Sequence, residues 1–147
     1  HQQRAENMSI MVGTRTVLLD NPKLLNTRWS GRHPIRITLD RHGVLSPASN
    51  IFSLDSQTIV YVDNTDWSFI LSDLAARNIH SVLVEGGAIL LQSILDSGLY
   101  DEVHVEVSKH SMPCVHGQGI SGVAAPHYEF RTSPTIIDGN RIYVEYH

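Results

Sequence analysis

The chain has 147 residues, of which 41% are hydrophobic and 18% charged, and this is the size and composition of one ordinary globular domain. These values exclude a disordered chain, and no apolar run approaches the roughly 18 residues that a membrane helix needs. The net charge of −4 argues against general binding of nucleic acid. A single cysteine, Cys114, cannot form an internal disulfide. We therefore expect a soluble, cytoplasmic protein.

The charge is unevenly distributed along the chain. Residues 1–41 contain seven basic and three acidic side chains, so this part carries a net charge of +4, and the remainder carries −8. Nine of the eleven cations are arginine, whose planar guanidinium binds phosphate oxygens in pairs. The basic part therefore predicts a local site for an anionic ligand, although a solvated surface stretch has the same composition.

Strand and helix patterns alternate from the amino terminus onward. Apolar runs and alternating patterns predict strands over residues 8–12, 35–39, 58–62, 81–84, 103–107, 127–132 and 141–146. A helical turn is predicted over Arg15–Asp20, and longer helices begin after Asp66 and at Ala88. Gly98 ends the last helix, and Asp138-Gly139 predicts a hairpin turn. This order predicts an α/β fold in a single domain, with a mixed, mostly parallel sheet flanked by helices.

The turn Glu85-Gly86-Gly87 lies where a strand is predicted to end and a helix to begin. Ligands of open α/β sheets bind at such carboxyl ends, and paired glycines let the backbone approach a pyrophosphate. Gly13 and Thr16 follow the first predicted strand in a similar way. The two turns predict one crevice, although Gly-Gly also occurs in simple tight turns and the full Gly-x-Gly-x-x-Gly pattern is absent.

Nine histidines raise the question of a metal site. His104-x-Glu106 followed by Pro113-Cys114 is superficially similar to the zinc deaminase signature, but Gly117 stands where a second thiolate is required. His104 also lies on an alternating strand pattern instead of at a helix start. We therefore predict no metal site.

Four blocks of sequence, in order, carry a resemblance to a known family. They are Met11–Leu24, Pro34–Asp40, Ile79–Gly87 and Gly98–Val103. These blocks resemble the reductase domain of the bifunctional riboflavin-biosynthesis deaminase/reductase. The resemblance implies a dihydrofolate-reductase-like fold, with NADPH as cofactor, and reduction of a ribosylamino-pyrimidine 5′-phosphate to its ribitylamino product.

The resemblance also implies a set of site residues. Cofactor positions fall on Thr16, Asp20, Arg41, Gly87, Ala88, Ile89 and Leu90. Substrate positions fall on Arg4, Leu24, Arg28 and Glu85. Glu85 is the candidate catalytic residue, and either Glu85 or water supplies the proton. From its charge, the Arg41 guanidinium is expected to hold the 2′-phosphate of NADPH. The arginine-rich first third, through Arg4 and Arg28, is then expected to hold the substrate phosphate, opposite Gly87.

The chain departs from the family pattern in several places. It opens at His1 without a methionine, and we expect residues 1–147 to be a reductase domain that lacks its first strand and helix and the deaminase domain. One extra residue before Arg28 leaves the choice between Leu24 and Leu25 open. A homodimer is expected. Two alternatives remain, a dihydrofolate reductase and a nucleotide-binding or assembly module without turnover.

Overall fold

The computed structural model describes residues 1–110 and 125–147. Cys114 and the glycine-rich loop over residues 117–122 lie outside the described residues. The chain divides into two compact units, His1–Leu91 and Gln92–His147.

The first unit is built on a four-stranded sheet in which every pair of neighbours is parallel. Its strands are β1 (Ser9–Gly13), β2 (Ile35–Leu39), β3 (Thr58–Tyr61) and β4 (Val82–Val84). Their spatial order is β3-β2-β1-β4. The prediction of an α/β fold with a mostly parallel sheet is confirmed.

Four helices precede, connect or follow these strands, and local sequence signals set the ends of several of them. They are α1 (Gln2–Glu6), α2 (Thr14–Asp20), α3 (Trp67–Ala76) and α4 (Ala88–Ser97), with a short 3₁₀ helix at Asn50–Phe52. The Asp66 carboxylate caps α3 by accepting a hydrogen bond from the Phe69 N–H at 2.9 Å. Asn21 ends α2 in the left-handed conformation at φ 41°. The predicted helix starts at Asp66 and Ala88 are confirmed.

One part of the core brings β1 side chains against α2 and the segment that follows it. Its buried members are Ile10, Val12, Val17, Leu24 and Ile51. The neighbouring strand β2 carries Arg36, which is fully buried. The Arg36 guanidinium donates to the carbonyls of Lys23, Asn50, Ser53 and Ser56 and to the Ser53 hydroxyl. This side chain therefore ties the segment after α2 to the segment around the 3₁₀ helix.

The second unit contains an antiparallel sheet in the order β5-β7-β6. Its strands are β5 (Glu102–Val107), β6 (Thr135–Ile137) and β7 (Asn140–Tyr146), and Asp138-Gly139 forms the predicted hairpin turn between the last two. These strands pair separately from the parallel sheet, where the sequence predicted one mixed sheet. The boundary prediction of a single domain over residues 1–147 stays a prediction.

The strand predicted over residues 127–132 is wrong. No strand forms there, because the backbone N–H groups of Arg131 and Thr132 donate to the Glu145 carboxylate, at 2.5 and 2.6 Å, instead of to a neighbouring strand. The Tyr128 and Thr132 hydroxyls bind the same carboxylate. Over residues 1–110 and 125–147, no helix combines the length and apolarity needed to cross a membrane.

Candidate functional site

The strand order of the parallel sheet reverses at β1, and the carboxyl edge there is the place where the sequence predicts the crevice. From β1 the chain passes to β2 on one side, whereas β4 pairs with the other side of β1. In open α/β sheets, ligands bind where the strand order reverses in this way, outside the carboxyl ends of the strands. Here that place lies between the end of β1, at Gly13, and the end of β4, at Val84.

The turn after β4 packs against the first turn of α2. Gly86 and Gly87 adopt φ values of +66° and +82°, which side chains rarely adopt, so the turn requires glycine. A Cβ atom added to Gly86 or Gly87 would lie 3.4 or 3.5 Å from the Thr16 hydroxyl oxygen. The Thr14 hydroxyl donates to the Leu39 carbonyl and anchors the start of α2 to β2. The predicted meeting of the two turns is therefore confirmed by these contacts.

An ion pair joins Arg4 of α1 to Glu85, the first residue after β4. The Arg4 Nη2 and Nε atoms lie 2.9 and 3.4 Å from the two Glu85 carboxylate oxygens. Both side chains are partly accessible, at 24% and 35% of their surface. The Arg4 Nη1 atom also donates to the Leu25 carbonyl at 3.4 Å. Three segments distant in sequence thus meet at a cation and a carboxylate that a ligand can reach.

The segment after α2 places Leu24 and Leu25 in different surroundings. Leu24 adopts φ 54° and is 95% buried in the core with Val17 and Ile51. The Leu25 carbonyl faces the Arg4 guanidinium. Leu24 thus packs in the core and the Leu25 carbonyl adjoins the Arg4–Glu85 pair, and the substrate role predicted for Leu24 stays a prediction. Sequence reasoning left this choice open because the conformation of Leu24 depends on tertiary packing.

The remaining predicted positions lie on the surface or at the start of α4. Asp20, Arg28, Arg41, Gly87 and Ile89 are exposed. Ala88 is half-buried, and Leu90 is buried with its Cβ 3.8 Å from the Cβ position of Gly13. Asp20 lies one turn beyond Thr16 on α2, and the roles of Asp20, Arg28 and Arg41 stay predictions.

Two buried polar side chains were missed from the sequence. Asp40, at the end of β2, is a buried carboxylate, and its spacing to Gly43 is a turn signal that was available. Asn26 is also buried, and neither polar atom of its side chain has a hydrogen-bond partner among the residues that the structure describes. Within the described ranges, no three histidine, cysteine or acidic side chains are placed to hold a metal ion.

The comparisons with known proteins identify the family. A family model described as the RibD C-terminal domain matches residues 1–131. The chain belongs to the RibD C-terminal domain family. The predicted resemblance is therefore confirmed.

Named members of the RibD C-terminal domain family match most of the chain. The chain is 28% identical to the 2,5-diamino-6-ribosylamino-4(3H)-pyrimidinone 5′-phosphate reductase of Methanothermobacter thermautotrophicus, over 99% of this chain and 82% of the relative. It is 32% identical to the riboflavin biosynthesis protein RibD of Corynebacterium ammoniagenes, over 86% of this chain. The match covers only 37% of that RibD protein.

A solved structure from the same family supports the fold. The bifunctional deaminase/5-amino-6-(5-phosphoribosylamino)uracil reductase of Thermotoga maritima matches with a TM-score of 0.76 and 29% identity. The match covers 98% of this chain and 46% of that one. The dihydrofolate-reductase-like fold that the resemblance implied is confirmed.

Proposed function

We propose that this protein reduces a ribosylamino-pyrimidine 5′-phosphate to the ribitylamino product, with NADPH as the reductant. The observation that carries the proposal is the Gly86-Gly87 turn, which packs against Thr16 at the reversal of strand order. The relatives named as reductases of such a pyrimidine phosphate support the substrate class. They do not favour a dihydrofolate reductase or a binding module without turnover.

The residues of the crevice fit a dinucleotide. Gly86 and Gly87 carry no side chains, so a pyrophosphate can approach the backbone of this turn beside Thr16. α4 begins at Ala88, directly after the glycine turn, so the N–H groups of Ala88 and Ile89 and the positive end of the helix dipole would face an anion bound at this turn. The Thr16 hydroxyl adds a hydrogen-bonding group beside the turn. NADPH, when bound, supplies a hydride for the C1′ carbon of the substrate in its open-chain imine form.

The Arg4–Glu85 pair fits the sugar phosphate. Arg4 carries a guanidinium, which binds phosphate oxygens, and Arg28 lies three residues beyond Leu25, whose carbonyl Arg4 already contacts. The Glu85 carboxylate accepts hydrogen bonds, so it can orient a ribose hydroxyl or the amine next to C1′. We assign Glu85 to substrate orientation and to passing the proton that the reduced nitrogen requires.

Oxidation of NADPH, followed by absorbance, tests the proposed function. The protein is mixed with the ribosylamino-pyrimidine phosphate, in its deaminated and non-deaminated forms, and in parallel with dihydrofolate. We expect NADPH to be oxidised with a pyrimidine phosphate and not with dihydrofolate. Binding of NADPH without oxidation by any of these substrates would contradict the proposal and favour a binding module.

The assembly and location of the protein remain proposals. We propose a homo-oligomer, with a homodimer as the first expectation, acting in the cytoplasm. Analytical ultracentrifugation of the protein with and without NADPH measures the oligomeric state directly, and a monomer at all concentrations would contradict the homodimer.

A further inference from the structure

A tight turn follows β2 and is held by the buried carboxylate of Asp40. The Gly43 N–H donates to the Asp40 carbonyl at 3.1 Å, which closes a four-residue turn over Asp40–Gly43. Aspartate at the first position and glycine at the fourth are typical of such turns. Gly43 adopts φ 59°, where glycine is favoured.

The Asp40 side chain fixes the chain beyond the turn as well. Its two carboxylate oxygens accept hydrogen bonds from the Val44 and Leu45 N–H groups, each at 3.0 Å. The Asp40 residue is only 4% exposed. The Asp40 N–H donates to the Tyr61 carbonyl at 2.8 Å, so the turn is also joined to β3. One buried carboxylate therefore determines the path of residues 40–45.

This construction places Arg41 and His42 at the two corners of the turn, where both side chains are exposed. The turn lies at the carboxyl end of β2, and β2 is the neighbour of β1 on the side away from β4. Among the ion pairs formed by the described residues, none uses Arg41. Its guanidinium is therefore available to an anion at the same edge of the sheet as the Thr16–Gly87 crevice.

We propose that Asp40 is a positioning residue for cofactor specificity, because it holds the turn that presents Arg41 to the 2′-phosphate of NADPH. This inference rests on the proposed function in one respect, namely that a nicotinamide dinucleotide binds at the carboxyl edge. It adds that selection of NADPH over NADH depends on a carboxylate that does not touch the cofactor. An amide at position 40 presents an NH₂ group to one of the two backbone N–H donors, and the turn loosens.

The test compares ligands that differ by the 2′-phosphate. Binding of 2′,5′-ADP and of 5′-AMP is measured by calorimetry for the wild type, Arg41→Ala, Asp40→Asn and the double variant. The KM values for NADPH and NADH are measured in parallel. Arg77→Ala is the control for loss of an exposed arginine. Arg77 follows the last residue of α3, and α3 leads from the carboxyl end of β3 back to the start of β4, so Arg77 lies away from the carboxyl edge. Asp66→Asn is the control for loss of a carboxylate that accepts a backbone hydrogen bond.

We expect Arg41→Ala to weaken binding of 2′,5′-ADP about tenfold, the loss of one charge-assisted contact, with 5′-AMP unchanged. Asp40→Asn should also weaken the binding of 2′,5′-ADP, and it should raise the KM for NADPH more than the KM for NADH. The double variant should match Arg41→Ala alone, because Asp40 acts through Arg41. The two control variants should leave the ratio of the Kd values for 2′,5′-ADP and 5′-AMP unchanged.

Three results would overturn the inference. They are unchanged 2′,5′-ADP binding in Arg41→Ala, equal losses for both ligands in Asp40→Asn, and additive losses in the double variant. If Asp40→Asn fails to fold, the exposed variant Arg41→Ala still decides whether the turn binds the phosphate. Ligand binding does not require turnover, so a wild type that binds 2′,5′-ADP through Arg41 but reduces no pyrimidine would refute the proposed function alone.

Discussion

Replacing Gly87 with valine perturbs the glycine turn at the point where it packs against Thr16. Gly87 has φ +82°, and a side chain in this conformation costs about 1–2 kcal/mol, with a further penalty for a β-branched residue. For a chain of this size the loss lowers Tm by about 2–8 °C. The Cβ already reaches van der Waals contact with Thr16 at 3.5 Å, so the valine methyl groups extend into the space proposed for the pyrophosphate. Losing one charge-assisted hydrogen bond there raises the Kd for NADPH about tenfold or more.

Gly98 provides a matched control for this experiment. It has φ +68°, and a Cβ added there meets nothing within 4 Å, so Gly98→Val carries the backbone strain without filling a crevice. Fluorescence titration with NADPH and thermal unfolding are measured for both variants. We expect both to lose stability and only Gly87→Val to lose affinity. A Kd for Gly87→Val within about twofold of the wild type, in a folded protein, would refute the reasoning that places the pyrophosphate at this turn.

Three further predictions concern other parts of the molecule. Glu85→Gln should raise the KM for the pyrimidine phosphate about tenfold and leave the Kd for NADPH unchanged, because an amide turns an NH₂ group toward Arg4. Equal losses of affinity for both ligands, measured by steady-state kinetics, would contradict this prediction. Arg36→Met should cost about 3 kcal/mol or more in urea unfolding, because it removes the buried donor that several backbone carbonyls share. Arg36→Lys should cost less, and a change below about 1 kcal/mol for Arg36→Met would contradict the role assigned to Arg36. Burial acts to raise the pKa of Glu145, but hydrogen bonds from Thr132, Tyr128 and Arg131 outweigh it and hold the pKa below the usual 4.5. The stabilisation of the folded state by the ionised Glu145 carboxylate is therefore complete above pH 4.5 and is lost as the pH falls through the lower folded-state pKa. Glu145→Gln should flatten that part of the plot of unfolding free energy against pH, measured by urea unfolding. An unchanged slope in Glu145→Gln would contradict this prediction.

Features with a local cause could be predicted from the sequence. The glycine pair after β4, the Asp66 cap and the Asp138-Gly139 hairpin each depend on residues close together in the chain. Parallel pairing of β1 with β2 followed from short apolar runs separated by connecting segments. These signals were sufficient to predict the α/β class and the edge of the sheet at which the crevice forms.

Features that depend on distant partners could not be predicted in the same way. Residues 127–132 have the alternating pattern of a strand, yet Glu145 of β7 takes the backbone N–H groups of Arg131 and Thr132. The contact between Arg4 and Glu85 joins residues 81 positions apart, and the resemblance assigned both to the substrate without showing that they pair. The role of the buried Asp40 carboxylate is likewise visible only from the Val44 and Leu45 N–H groups that donate to it.

Transfer of a labelled hydride tests the central claim most directly. The protein is incubated with the ribosylamino-pyrimidine phosphate and NADPH that carries deuterium at C4 of the nicotinamide, in each of its two epimers. Mass spectrometry and NMR then locate the label in the product. The account predicts deuterium at C1′ of the ribityl chain from one epimer, and loss of that transfer in Gly87→Val. A reduced product without deuterium from either epimer, or undiminished transfer in Gly87→Val, would contradict it.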